Sequence, residues 1–382
     1  MSIRDIIMKD KGSEKAGTLN LPLSDFLRIE EDDVRDKDMF LSSGIIPFNI
    51  LATGTVNKSI IMGGQLQMSS PSRFGKSLMC LAHCKDAQKK GLEVVYINTE
   101  SRGAFNFETA RAFGINTDPK VFNVLETDSI ESCETIVVKL VEGKTKAERK
   151  KIFLVIDSFT ALISTTATIK AIDGKTLTVD MSEPRQRNRL ASILNASGTT
   201  RLIVTQSYSN TSGFGERLNV GGASKIFFLS DSCIMFSERA KVKDEKTKEI
   251  LSFIVTGHTN KSRYCQEGSA LDVQITKKGL NSFFGLLPDA LEGGFVLKDK
   301  GKVYRDCIKN DKPVDEEEIY NKEFWTPIFQ KSDFIKYIEK KYKFNNDLDI
   351  SKTDIEEMFI KEEKIIEDKI EEEKPTTKKK GK

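Results

Sequence analysis

Eight residues constrain this chain more than any others: Ser70-Pro71-Ser72-Arg73-Phe74-Gly75-Lys76-Ser77. A β-rich run at 66–68 precedes them and a helical pattern at 77–89 follows. This is the phosphate-loop pattern G-x-x-x-x-G-K-[ST], with Ser70 where the first glycine usually stands. The spacing has a chemical reason. Consecutive backbone N–H groups wrap a β-phosphate, and the helix N-terminus adds partial positive charge. Lys76 is then within reach of the β- and γ-phosphates, and the Ser77 hydroxyl is a ligand for Mg2+. Ser70 is tolerable there if its backbone is not left-handed. A Gly-Lys-Ser helix start with no ligand explains the residues, but not their placement between a strand and a helix.

Two strand-end carboxylates supply the partners such a loop needs. The apolar run 152–156 ends in Asp157, which puts a carboxylate at the carboxyl edge of the sheet, where open α/β folds bind ligands. Asp157 is expected to hold magnesium through water. The run 94–97 leads to Glu100, positioned to activate or orient an attacking water, or else to cap the next segment. Gln206 follows the run 202–205 and can hydrogen-bond a γ-phosphate, passing that signal to the loop behind it.

Further β-rich runs at 121–125, 234–236 and 253–256 join those at 66–68, 94–97, 152–156 and 202–205. Most are continuous rather than alternating, as in strands covered on both faces. Helical stretches at 77–89, 107–113, 129–141 and 187–195 separate the earlier ones, which implies right-handed crossovers and an α/β fold with a mostly parallel sheet. Two segments break the rhythm. Alternating residues at 168–172 and 176–180 flank Asp173-Gly174, a favoured hairpin turn, so a β-hairpin is expected there. Residues 207–222 carry four glycines without periodicity and read as a long functional loop.

Length sets the scale: 382 residues allow two or three domains. No window approaches the ~18 apolar residues of a spanning helix, and the N-terminus lacks a signal peptide's apolar core. The six cysteines, at 80, 84, 133, 233, 265 and 307, are too scattered for a disulfide framework and too few in any cluster for zinc. The expected setting is a cytoplasm, the host's if the chain is viral.

The pieces SPSRFGKS, YINTES, FLVIDSFTAL, LIVTQ, the glycine pair of NVGGASK, and HTNKSRYC stand in the order found in RecA-type recombinases. The chain resembles that family, and within it the phage UvsX branch. SDFLRIEEDDV is similar to that branch's N-terminal arm, and FGLLPDALEGGFV and FWTPIFQKSDFIKYIEKKY to its C-terminal part, so the likeness runs to about residue 343.

The resemblance implies a RecA-type ATPase core at 45–297 that binds ATP and Mg2+. An oligomerisation arm at 1–44, a C-terminal subdomain at 298–344 and a charged tail at 345–382 complete the organisation. It further implies a DNA-dependent ATPase that forms helical filaments on single-stranded DNA, pairs it with homologous duplex and exchanges strands in recombination and repair. A single-strand-binding protein and a loading mediator are the further expected partners. The first DNA-binding loop maps onto 165–183, with Lys170, Lys175 and Arg187 as contacts. The second maps onto 207–222, with Phe214 stacking on bases or anchoring the loop, Arg217 and Lys225 meeting phosphates, and Gly221 and Gly222 giving it freedom. Lys261 and Arg263 match the paired cations that cross a subunit interface to the neighbour's γ-phosphate. The longer segment at 101–113 leaves Phe105 and Phe107 both open as the residue stacked on adenine.

Two other readings share these residues. A RecA-core hexameric helicase calls for a separate N-terminal scaffold domain, for which 44 residues leave little room. A non-hydrolysing DNA-coating mediator has no use for Lys76, Ser77, Asp157 and Glu100 together. The overall charge of +3 hides a division that bears on DNA: −3 over 1–38, +10 over 39–310, −9 over 311–373 and +5 over 374–382. A basic core beside an acidic C-terminal stretch implies competition with DNA for the core, or simple solvation of the tail.

Overall fold

Short apolar runs between turn residues become strands, and the stretches between them become helices, some of them started by a side-chain cap, as at Asn106, Ser129 and Thr145. The computed structural model describes residues 39–100, 105–172, 183–210, 217–220, 224–309, 311–315 and 318–344. The segments read as an N-terminal arm and a charged tail therefore lie almost wholly outside the described residues.

In chain order, β1 (Phe40–Leu41) and β2 (Ile60–Ile61) pair around α1 (Ile46–Thr53). Then β3 (Gln65–Ser70) leads into α2 (Lys76–Lys89), and β4 (Glu93–Asn98) into α3 (Phe107–Ala112). Strand β5 (Phe122–Glu126) is followed by α4 (Ile130–Val141) and α5 (Lys146–Lys150). After β6 (Ile152–Asp157) come α6 (Thr165–Ile172) and α7 (Glu183–Ser197), then β7 (Thr200–Asn210), β8 (Arg217–Val220) and α8 (Ser224–Leu229). Strands β9 (Ser232–Lys243), β10 (Ile250–Ser262), β11 (Ala270–Thr276) and β12 (Gly279–Leu280) complete the main sheet. The C-terminal part holds α9 (Leu287–Glu292), β13 (Val296–Asp299), β14 (Lys302–Arg305), β15 (Val314–Asp315), α10 (Lys322–Lys331) and α11 (Phe334–Tyr342).

The fold is α/β with one large mixed sheet, in the order β12-β11-β10-β9-β3-β7-β6-β4-β5 with β8 paired to β7. From β9 to β5 the strands are parallel. Beyond β9 the sheet turns antiparallel, because a tight turn at 244–249 can return a strand only that way. Asp244 builds that turn, accepting from the N–H groups of Lys246 and Thr247.

Both faces of the parallel part are covered. Val94, Tyr96, Phe153, Val155, Leu202 and Val204 pack with the buried residues of α1 and α2 in one core. Their alternates Val95, Ile97, Leu154, Ile156 and Ile203 pack with α4, α7 and α8 in the other. The side chains at 96, 155 and 157 therefore share the α2 face, by the two-residue period of a strand.

Two expectations are corrected. Residues 165–172 are helical, not the first arm of a hairpin. The Ser164 hydroxyl accepts from Ala167 N–H, and the Thr165 N–H donates to the Glu131 carboxylate, so the helix start is pinned at a run whose threonines mimic strand alternation. Residues 173–182, with Asp173 and Gly174, lie outside the described residues. The second correction concerns 207–222. Its first four residues extend β7, and Arg217–Val220 pairs back on them, Ser207 opposite Val220 and Asn210 opposite Arg217. Residues 211–216 and 221–223, including Phe214, Gly221 and Gly222, lie outside the described residues. Among the described residues no helix is long and apolar enough to cross a membrane.

Candidate functional site

Strand β3 is buried along its whole length and delivers the chain to the carboxyl edge of the sheet. Ser70 is its last residue, in extended backbone, so a side chain is accommodated where a glycine was expected. The left-handed residues of the turn are Arg73, at φ 69°, and Gly75, at φ 78°. Gly75 directly precedes α2, so the helix N-terminus faces the loop.

Lys76 folds back over this loop. Its buried Nζ donates to the Ser70 carbonyl at 3.0 Å, the Pro71 carbonyl at 2.8 Å and Ser70 Oγ at 3.1 Å. Burial lowers its pKa from the usual lysine value, against the opposing pull of Asp157 and Glu100. The ammonium thus occupies its donors on the loop's own oxygens, groups that a phosphate oxyanion can outcompete.

One residue on, the Ser77 hydroxyl donates to Asp157 Oδ2 at 2.7 Å. The loop and the end of β6, 80 residues apart in sequence, are joined by that contact. Tyr96 Oη donates to the same oxygen at 2.6 Å. Sequence reading missed Tyr96; its signal is a phenol inside the apolar run Val94-Val95-Tyr96-Ile97, where a buried hydroxyl requires a partner. Burial, and then the Asp157 charge, push the phenol well above its ordinary pKa, which keeps it a donor.

The donor set of Ser77 hydroxyl and Asp157 carboxylate consists of hard oxygens. Among the described residues no cluster of three or more His, Cys, Asp or Glu forms a metal cage. That combination fits Mg2+, which takes one or two carboxylates and completes its shell with water and phosphate oxygens.

Glu100 lies two residues past the end of β4 and is exposed. With Asn98, Thr99, Glu126, Asp128 and Ser129 it lines a cavity of about 320 Å³ at the ends of β4 and β5. Gln206 lies opposite Ser70 in the β3–β7 ladder, beside the start of the loop. Its N–H donates to Thr160 Oγ1 at 3.1 Å, and Tyr208 Oη donates to its Oε1 at 3.3 Å. Of the two aromatics left open for adenine, Phe105 packs edge-on to Tyr96 at 4.9 Å and Phe107 is exposed.

Lys261 and Arg263 are not brought to the loop of their own chain. Arg263 N–H bonds the Asp231 carbonyl, and Asp231 N–H bonds the carbonyl of Gln65, the first residue of β3. The pair therefore sits toward the amino edge, up to a six-residue strand from Ser70, roughly 17 Å. There Lys261 Nζ donates to the Phe227 and Phe228 carbonyls at 3.0 and 2.7 Å, closing the end of α8, while Arg263 pairs with Asp231 at 3.1 Å.

Arg187 differs from expectation. It is half-buried and held inside the chain by Leu162 O at 2.7 Å and Glu183 Oε1 at 2.6 Å, whereas Arg185 beside it is exposed. Arg189 is paired with Glu134. Lys225 is exposed on α8. Arg217 lies in β8, and the side chains of Arg217 and Lys170, like Lys175 as a whole, fall outside the description.

No protein-family model matches the chain. It is 25% identical over 365 residues to a protein of Enterobacteria phage T4 named Recombination and repair protein, covering 91% of this chain and 88% of that one.

Proposed function

We propose that this chain is an ATP-dependent DNA recombinase, acting in recombination and repair, that assembles on single-stranded DNA and exchanges it with homologous duplex. The observation that carries the nucleotide chemistry is the Ser77–Asp157 contact at 2.7 Å beneath a lysine-capped loop at a helix N-terminus. The phage relative, matched over nearly the whole of both chains, supports the biological setting.

In this reading the loop's N–H groups and Lys76 bind the phosphates, with Lys76 exchanging Ser70 and Pro71 for an oxyanion. Ser77 and Asp157 hold Mg2+, which supplies charge neutralisation at the phosphoryl group when bound. Glu100 orients the attacking water and takes its proton. Gln206, in register with Ser70, links the loop to the β7–β8 arm. Lys261 and Arg263, facing away from their own loop, serve the loop of a neighbouring copy, so hydrolysis awaits assembly. Such a head-to-tail contact does not close and grows a filament.

The test is ATP hydrolysis with and without single-stranded DNA. DNA stimulation, lost in both Lys76→Ala and Lys261→Ala, is the expected result. Hydrolysis without any response to DNA refutes the recombinase reading, and closed rings rather than filaments in electron micrographs would favour a hexameric helicase.

A further inference from the structure

We propose that Tyr96 is a positioning residue for the metal-holding pair: its hydroxyl fixes Asp157 so that Asp157 in turn fixes Ser77. The inference rests on the reading of this site as a Mg2+–nucleotide site. Two side chains from two elements converge on one atom of a third. Ser77 from α2 and Tyr96 from β4 both donate to Asp157 Oδ2, at 2.7 and 2.6 Å. Tyr96 and Asp157 are both buried, so water does not compete freely for these bonds.

The geometry explains why the hydroxyl comes from position 96. In the β4–β6 ladder Asn98 lies opposite Asp157 and Tyr96 opposite Val155. A side chain directly opposite Asp157 is a neighbour; one set back by two residues needs the reach of a phenol to arrive at the same oxygen. The ring is held by Phe105, edge-on at 4.9 Å, so the hydroxyl is aimed by packing rather than by the carboxylate alone. Both donors fall on Oδ2, which leaves the other carboxylate oxygen for the metal's water shell.

A carboxylate with a single hydroxyl partner retains more rotational freedom, and removal of an outer-shell hydrogen bond of this kind costs about 10–100-fold in metal affinity. The substitution Tyr96→Phe takes away one oxygen and leaves the ring.

The experiment titrates Mg2+ into protein with a fluorescent N-methylanthraniloyl-ADP and reads the Mg2+ concentration at half-maximal binding. Tyr96→Phe is expected to raise that concentration about 10–100-fold while metal-free nucleotide affinity stays within about two-fold. Bound Mn2+ should give a broader electron paramagnetic resonance spectrum in the variant, reporting a less ordered shell. In an Asp157→Asn background the Tyr96→Phe effect should vanish, because the hydroxyl acts through that carboxylate.

Wild-type binding with the same Mg2+ requirement in Tyr96→Phe overturns the role of Tyr96 and leaves the nucleotide site standing. Additive effects of Tyr96→Phe and Asp157→Asn also overturn it, by assigning the change to packing. Wild-type protein that binds no nucleotide with Mg2+ present overturns both this inference and the reading beneath it.

Discussion

Lys76→Met separates what the lysine does for the fold from what it does for a ligand. In the free protein the ammonium is buried and makes three hydrogen bonds to uncharged oxygens, with no direct ion pair among the described residues. Desolvation is the largest influence on its pKa and lowers it. A charged group whose folded pKa is lowered costs stability at neutral pH, because the unfolded chain holds the proton more readily. Methionine keeps most of the stem and removes the charge. The variant should therefore unfold no earlier than wild type, and its advantage should shrink as pH rises through the lowered pKa toward the ordinary ~10.4 of lysine, where the penalty on the wild type disappears.

The ligand-bound comparison should reverse this order. Nucleotide at 100 times its Kd stabilises a folded protein by about 2.7 kcal/mol. With an unfolding entropy of ~2.1 cal/mol/K per residue over the roughly 280 described residues, that corresponds to about 4–5 °C in Tm. Differential scanning fluorimetry with Mg-ADP should show that rise in wild type and none in Lys76→Met. A variant several degrees less stable without ligand would mean that the lysine's bonds to Ser70 and Pro71 hold the loop together, and would refute the desolvation argument. An equal ligand-induced rise in both proteins would refute the assignment of phosphate binding to Lys76.

Three further outcomes can be checked by urea unfolding. Gly75→Ala should lose about 1–2 kcal/mol, since φ 78° places an L-residue in the left-handed region; the Ile275 methyl that a new Cβ would meet is movable, so adding Ile275→Val should recover little. Arg187→Ala should lose about 1–3 kcal/mol by stranding Glu183 and the Leu162 carbonyl, whereas Arg185→Ala should change stability by less than about 0.5 kcal/mol and alter only the salt dependence of DNA binding. His83 is buried between Met79 O and Ser59 Oγ, and burial lowers its pKa to about 4. The folded state thus holds it neutral while the unfolded state protonates near 6.5, so stability present above pH 6.5 should fall by about 3 kcal/mol as pH drops to 4, a fall that His83→Asn should flatten.

The strand–helix alternation was legible because strands covered on both faces write continuous apolar runs, as at 94–97 and 152–156. Where burial is polar, the same logic falls short. Strand β3 starts at Gln65 and ends at Ser70, beyond the run 66–68, because its polar residues are buried with partners of their own: the Gln65 and Gln67 amide NH2 groups donate to Ser230 Oγ at 2.9 Å and Thr205 Oγ1 at 3.0 Å. Strand β7 outruns 202–205 because its far end is paired by β8, a partner that no local pattern announces. At 165–172 a cap from Ser164 outweighs β-branched alternation.

The site divides along the same line. Residues 70–77 are adjacent in sequence, so their spacing carries the chemistry on its face. The meeting of Ser77, Tyr96 and Asp157 depends on which strands are neighbours and on their register. Parity puts 96 and 157 on the α2 face once β4 and β6 are known to pair, and the Asn98–Asp157 register then leaves Tyr96 two residues short of the carboxylate. A phenylalanine at that position would keep the ring packed against Phe105 and reach nothing. The phenol is intelligible only as a hydroxyl carried across that gap, so the lost bond in Tyr96→Phe should register in the metal requirement before it registers in the fold.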